Sequence, residues 1–234
     1  IWKVGARTVH LCLQDHLWDG IKRDRLVWIG DIHPETRVVS AVFGKLDVVE
    51  KSLDYARDKY TLPNWMNGIS SYSLWWIITH ADWYRYHGDL EYLAQQKEYL
   101  LGLLEVLAAN VDDNGHETLG EVRFLDWPTS EDKEAVSAGL QSLLILALKA
   151  GAELCAALGE DGAAKKASEL AQLAWGYKQP ISTRKSPSAL MVLANTIGAR
   201  EANKQLLAVD PLRDVSVFYG YYVLQARAMA GDYA

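Results

Sequence analysis

The stretch Trp18-Asp19-Gly20-Ile21-Lys22-Arg23-Asp24-Arg25-Leu26-Val27-Trp28-Ile29-Gly30-Asp31-Ile32-His33-Pro34-Glu35 decides how the rest of the chain is read. It packs carboxylates, arginines and tryptophans into a run without a helical or strand period. Gly20, Gly30 and Pro34 punctuate it, so it reads as a loop between two helices. An arginine can fix a carboxylate bidentately, and an indole face can stack on an apolar ring face. Carboxylates at several points of one loop can divide into a proton donor and hydrogen-bond acceptors for a polyol. The competing reading is an ion-paired structural loop, in which Asp24 pairs with an arginine and does nothing more.

Outward from this loop, the pattern is helical. Apolar spacing predicts helices over 4–17, from Asp31 or Pro34 to Phe43, over 46–60, and from a cap at Ser70 or Ser71 to Tyr86. Further helices are expected to Ala109, over 134–158, to Trp175, over 188–197, over 201–207 and over 215–230. Between Asn110 and Trp127 only Val122, Phe124 and Leu125 look strand-like. Strand–helix alternation is lacking, so the chain reads as all-α. Gly88-Asp89, Gly159-Glu160-Asp161 and Gly231-Asp232 recur about seventy residues apart, each after a helix, as turns of repeated helical hairpins would. Stacked hairpins make a superhelix or a closed toroid, and in a toroid the loops at one end line a cleft.

Composition excludes several classes. The 234 residues are long enough for one large domain. A net charge of −6 argues against nucleic acid. No apolar run reads as a membrane span, so membrane insertion is not expected. The chain opens at Ile1 and ends at Ala234, which reads as a single helical domain cut from a longer polypeptide, whose remainder is a possible partner. The compartment stays open among periplasm, cytoplasm and secretion. Cys12 and Cys155 are expected as buried free thiols. The nine tryptophans divide between core and a sugar-type cleft.

Among possible sites, Asp19, Asp24 and Asp31 are the leading carboxylates. Asp24 stands between Arg23 and Arg25, which favour its ionised form, so an acid role requires burial or another carboxylate nearby. Phe124-Leu125-Asp126-Trp127-Pro128 is a second candidate cleft wall, against the alternative of a Trp packed on the next helix. Glu131 and Glu134 read as the capping acids of that helix, whose N-terminal dipole favours negative charge. Asn110 to Gly115, closed by Glu121, has calcium-loop spacing, but a polar turn reads better because Glu117 stands where an apolar residue is usual. His80 and Asp82 read as core polar residues with partners. There is no HExxH, paired cysteine, P-loop or GxGxxG pattern, and no metal or cofactor is expected.

Asp19 to Asp31 resembles the signature loop of bacterial α-L-rhamnosidases, glycoside hydrolase family seventy-eight, whose form is close to D-C-P-x-R-(D)-E-R-x-G-W-x-G-D. Tyr84 to Asp89, Asp126-Trp127 and Gly220 to Asp232 resemble shorter elements of the same family. The resemblance implies an (α/α)6 toroid, incomplete in this chain, that hydrolyses terminal α-L-rhamnosides with inversion. It implies Asp24 as general acid, with Asp19, Arg23, Trp28 and Asp31 holding rhamnose and Trp127 as an aromatic platform. Tyr72 and Asp126 join the expected sugar contacts. The general base is expected beyond Ala234, with Asp126 or Glu131 as fallback, and a rhamnose-containing glycoside is the expected partner. The chain departs from the pattern in Asp24 for Glu, in Gly20-Ile21 for Cys-Pro, and in Tyr72 for a cleft Trp. The alternatives are another toroidal carbohydrate-active enzyme and a non-catalytic helical repeat. The repeat predicts Trp28 and Trp127 buried in packing with Asp24 on an open surface. The enzyme predicts Asp19, Asp24 and Asp31 converging on one pocket.

Overall fold

A computed structural model describes residues 1–120 and 122–233. The described residues form ten α-helices and no strand ladder, in accord with the all-α reading. They are α1 (Trp2–Cys12), α2 (Ile32–Val42), α3 (Asp47–Lys59), α4 (Ser70–His87), α5 (Leu90–Ala108), α6 (Lys133–Ala157), α7 (Asp161–Gly176), α8 (Lys185–Leu193), α9 (Ala199–Ala202) and α10 (Val217–Met229).

The even-numbered helices pack in succession, α2 on α4, α4 on α6, α6 on α8 and α8 on α10. The odd-numbered helices lie outside them, as α7 does on α6 and α1 on α2. This alternation explains the burial pattern. In α4 nearly every residue from Ser70 to Trp83 is buried, so it has no polar face, whereas outer α3 is amphipathic. Trp76 donates its indole N–H to the Leu53 carbonyl and Trp83 to Glu50, which fixes α3 against α4. The first and last inner helices meet where His33 Nδ1 lies 2.6 Å from the Tyr222 hydroxyl. The hairpin turns follow the expected spacing. Gly88, Gly159 and Gly231 all sit in the left-handed region, at φ of 64°, 73° and 81°.

Several local expectations need correction. Helix α1 stops at Cys12 rather than Leu17, because Leu17 N–H donates to Ser52 and Trp18 N–H returns to the Cys12 carbonyl. Neither Ser70 nor Ser71 caps α4 by its side chain. Ile69 occupies the cap position, while Ser71 donates to the Phe124 carbonyl and Ser73 accepts from Met66 N–H. Asp31 does precede α2, but its carboxylate makes no capping bond and faces the cleft. Asp132, not Glu131 or Glu134, caps α6 by accepting from Ala135 N–H. Val122 makes only an isolated bridge to Ile69.

Helix α6 is long and apolar enough to cross a membrane, contrary to the sequence reading, but most of it is buried inside the fold. Cys12 and Cys155 are free and buried. Asp112 turns its carboxylate onto the N–H groups of Asn114 and His116, and Glu117 is buried against Arg123. That arrangement is a polar turn; Glu121 lies outside the described residues.

Candidate active site

The opening loop is pinned at its base and free at its rim. Val27 and Ile29 point into the core, at 6% and 0% exposure, so Trp28 between them must point the other way, into a cleft. Asn67 clamps this segment, donating to the Val27 carbonyl and accepting from Ile29 N–H. Asp19 donates its backbone N–H to the Leu26 carbonyl and accepts the Leu26 N–H on Oδ1. Gly30 is required by packing, since a Cβ there would stand 2.1 Å from the Tyr72 ring.

Asp19, Arg23, Asp24, Trp28, Asp31, Tyr72, Asp126 and Trp127 all line one cleft of about 660 Å³. The structure therefore brings together every site residue expected from sequence. Asp24 Oδ2 accepts the Trp28 indole N–H at 3.1 Å, and Oδ1 lies 3.4 Å from Arg23 Nε. Arg25 takes no part in that pair; at φ 54° it turns back and donates to the Ile21 carbonyl. Trp28 meets Tyr72 edge-on at 6.1 Å, and the Tyr72 hydroxyl donates to Asp31 at 3.5 Å. Trp127 is 78% exposed at the mouth and stands edge-on to Phe124. Trp127 is not the buried indole that a packed helical repeat requires, whereas Trp28 is half-buried and Asp24 is exposed at the rim of the cleft.

Asp126 differs from the others. Its Oδ1 accepts Thr129 N–H and the Thr129 hydroxyl, and its Oδ2 accepts Ser186 and Ser216 hydroxyls. Four protein donors saturate it, and it joins the 127–129 turn to α8 and the start of α10.

The electrostatics concentrate on the wall formed by α2. Burial, then the charge of Asp19, push the Asp31 carboxyl up to about 6, against the Tyr72 hydrogen bond and Arg23. Glu35, one turn further on, is pushed up to about 8 by burial and by Asp31 and Asp19. Burial and Asp31 also raise the Tyr72 hydroxyl. Sequence reasoning missed Glu35 as a cleft residue, although its i+4 spacing from Asp31 places both on one helix face. It also missed Ser216, Phe218 and Tyr219, which complete the wall together with Phe124. They come from loops and α10, and no local pattern ties them to the opening stretch.

The profile of the bacterial α-L-rhamnosidase six-hairpin glycosidase domain matches residues 1–175. The chain belongs to this family. As a member, it has the (α/α)6 class of fold and is a glycoside hydrolase domain. Two solved rhamnosidases share the fold. The enzyme of Bacillus sp. GL1, a family seventy-eight member, superposes with a TM-score of 0.81 at 21% identity over 98% of this chain. The Klebsiella oxytoca rhamnosidase, solved with rhamnose bound, gives 0.75 at 18% identity over 98%. The chain spans 28% of the first and 51% of the second. No protein with a curated function matches it.

Proposed function

We propose that the cleft is the glycone subsite of an inverting α-L-rhamnosidase, with Asp24 as its general acid. What carries this reading is the convergence of Asp19, Asp24 and Asp31 with the indoles of Trp28 and Trp127 on one cleft. The rhamnose bound in the Klebsiella relative supports the choice of sugar.

In this reading Asp24 gives its proton to the glycosidic oxygen as the bond to the anomeric carbon breaks. A second carboxylate takes a proton from water attacking the opposite face, which inverts the anomeric centre. The Trp28 indole bond holds Oδ2 of Asp24; Oδ1 stands 3.4 Å from Arg23 Nε, so taking the proton there requires that ion pair to open. Asp has one methylene less reach than Glu, and the indole bond sets its angle of approach. Asp19, Arg23 and Asp31 supply acceptors and a donor for the hydroxyls, Trp28 and Tyr72 an aromatic wall, and Trp127 a platform at the mouth. Asp126 serves this site by holding the wall.

The proposal assigns the base to a carboxylate outside the described cleft residues, which gives this cleft the acid half of the site. Two features of the cleft support that. Asp126 has both oxygens taken, and Glu35 is held protonated near neutral pH, so neither is free to accept a proton from water. Glu131 is not among the cleft residues. The test is the chain alone against an aryl α-L-rhamnoside. Bound rhamnose without turnover is expected; robust turnover would overturn the split site and require a base among these residues.

A further inference from the structure

Among the described residues, Glu35 is the one carboxyl of the cleft with no protein partner on a shielded oxygen. Its Oε2 is closed to solvent and meets no donor, while the side chain as a whole is part-exposed and lines the cleft. The groups that face it are Asp31 from the start of α2, Asp19 from the loop and Cys12 from α1. Arg23, the cation that acts on Asp31, is not among the charges that act on Glu35. Asp24, Tyr72, Asp126 and Tyr219 line the same cleft.

We propose that Glu35 is a further sugar-binding residue, a carboxyl that keeps its proton and donates it in a hydrogen bond to a pyranose hydroxyl, beside Asp31 as acceptor. An ionised Glu35 would leave negative charge on a buried oxygen without a donor, next to two other carboxylates. Such a group takes up a proton instead. Protonated, it becomes the one acidic side chain of this wall that can give a hydrogen bond rather than only accept one. Asp31 and Glu35 stand one helical turn apart on the same face, so the pair offers a donor and an acceptor side by side to hydroxyls of one sugar ring. A vicinal diol is the chemistry that fits. The assignment of the sugar as rhamnose rests on the reading given under the proposed function.

The test is L-rhamnose titrated calorimetrically into this chain and into Glu35→Gln and Glu35→Ala, from about pH 6 to 9.5. Glu35 should add no pH dependence to binding by the unchanged chain below about 8, and above it affinity should fall about tenfold per pH unit. Glu35→Gln, which still donates through N–H, should bind within about threefold at pH 7 and lose the alkaline decline. Glu35→Ala should bind about tenfold or more weakly at pH 7. Wild-type affinity in Glu35→Ala, or Glu35→Gln as weak as Glu35→Ala, would overturn the donor role. A ligand-free readout separates the two readings. The melting temperature of the unchanged chain should fall between about pH 5 and 8, and that of Glu35→Gln should fall less. Equal profiles would overturn a protonated Glu35. Failure of the unchanged chain to bind L-rhamnose, with the profiles differing, would overturn the rhamnoside reading and with it the ligand named here.

Discussion

The Trp28 indole N–H donates to Asp24 Oδ2 at 3.1 Å, so one residue of the loop orients the carboxylate of another four positions away. In the proposed role of Asp24, this bond would hold the acid at its angle of approach. Trp28→Phe keeps the ring but deletes the donor. In an active enzyme containing this chain, kcat should fall about tenfold to a hundredfold with little change in melting temperature. Asp24→Asn should cost about 10²–10⁴ in kcat. The loss should shrink for aryl leaving groups that need no protonation. Equal losses for good and poor leaving groups would remove Asp24 as the acid.

Gly30→Ala should be disruptive out of proportion to one methyl. The added Cβ would meet the Tyr72 ring at 2.1 Å, and Tyr72 is itself buried against Trp28. The ring must shift, at a cost of about 1–3 kcal/mol. Denaturant unfolding should show that loss, and rhamnose binding should weaken with it.

The buried network around Asp82 should govern stability in acid. Burial alone would raise its carboxyl, but the hydrogen bond and charge of His33, then Arg37 and Arg85, outweigh that and hold it at about 2. A lowered carboxyl stabilises the fold above its unfolded value near 4, and the benefit disappears as pH falls through about 2. The contribution is about 2 kcal/mol, visible as a drop in stability between about pH 4 and 2. Asp82→Asn should remove that drop and, at pH 7, destabilise the chain by about 3 kcal/mol, because it leaves Arg37 without its carboxylate partner. Urea unfolding at a series of pH values measures both.

Trp127→Ala should do the opposite of Gly30→Ala. The indole is 78% exposed and touches Phe124 edge-on, so stability should change by no more than about 0.5 kcal/mol. Affinity for an aryl rhamnoside should weaken severalfold, with binding of free rhamnose less affected. Unchanged affinity for both ligands would leave Trp127 with no part in recognition.

Much of this was legible in the sequence because the loop concentrates its meaning locally. Between Asp19 and Asp31 the residues that carry the chemistry, Asp19, Arg23, Asp24, Trp28 and Asp31, all reach the cleft. Helix α4 was legible from its unbroken apolar run, and the hairpin turns from Gly88, Gly159 and Gly231. What was not legible depends on distant partners. The end of α1 is set by Ser52, thirty-five residues away, while Leu13 and Leu17 continue the apolar pattern past the true end. The serines before α4 look like caps, yet the tertiary fold uses Ser71 and Ser73 for the 122–127 segment and Met66. Asp126 reads as a ligand by type, and only the positions of Thr129, Ser186 and Ser216 show that its oxygens are occupied. Glu35 was within reach of a spacing argument, but its missing partner is a property of the packed structure.

The measurement that bears most directly on the central claim is a crystal structure of this chain soaked with L-rhamnose. The account predicts one sugar in the cleft, with hydroxyls on Asp19, Arg23 and Asp31, an aromatic wall from Trp28, and the anomeric oxygen within hydrogen-bond reach of Asp24. A rhamnose bound elsewhere, or seated in the cleft with its anomeric carbon turned away from Asp24, would contradict it.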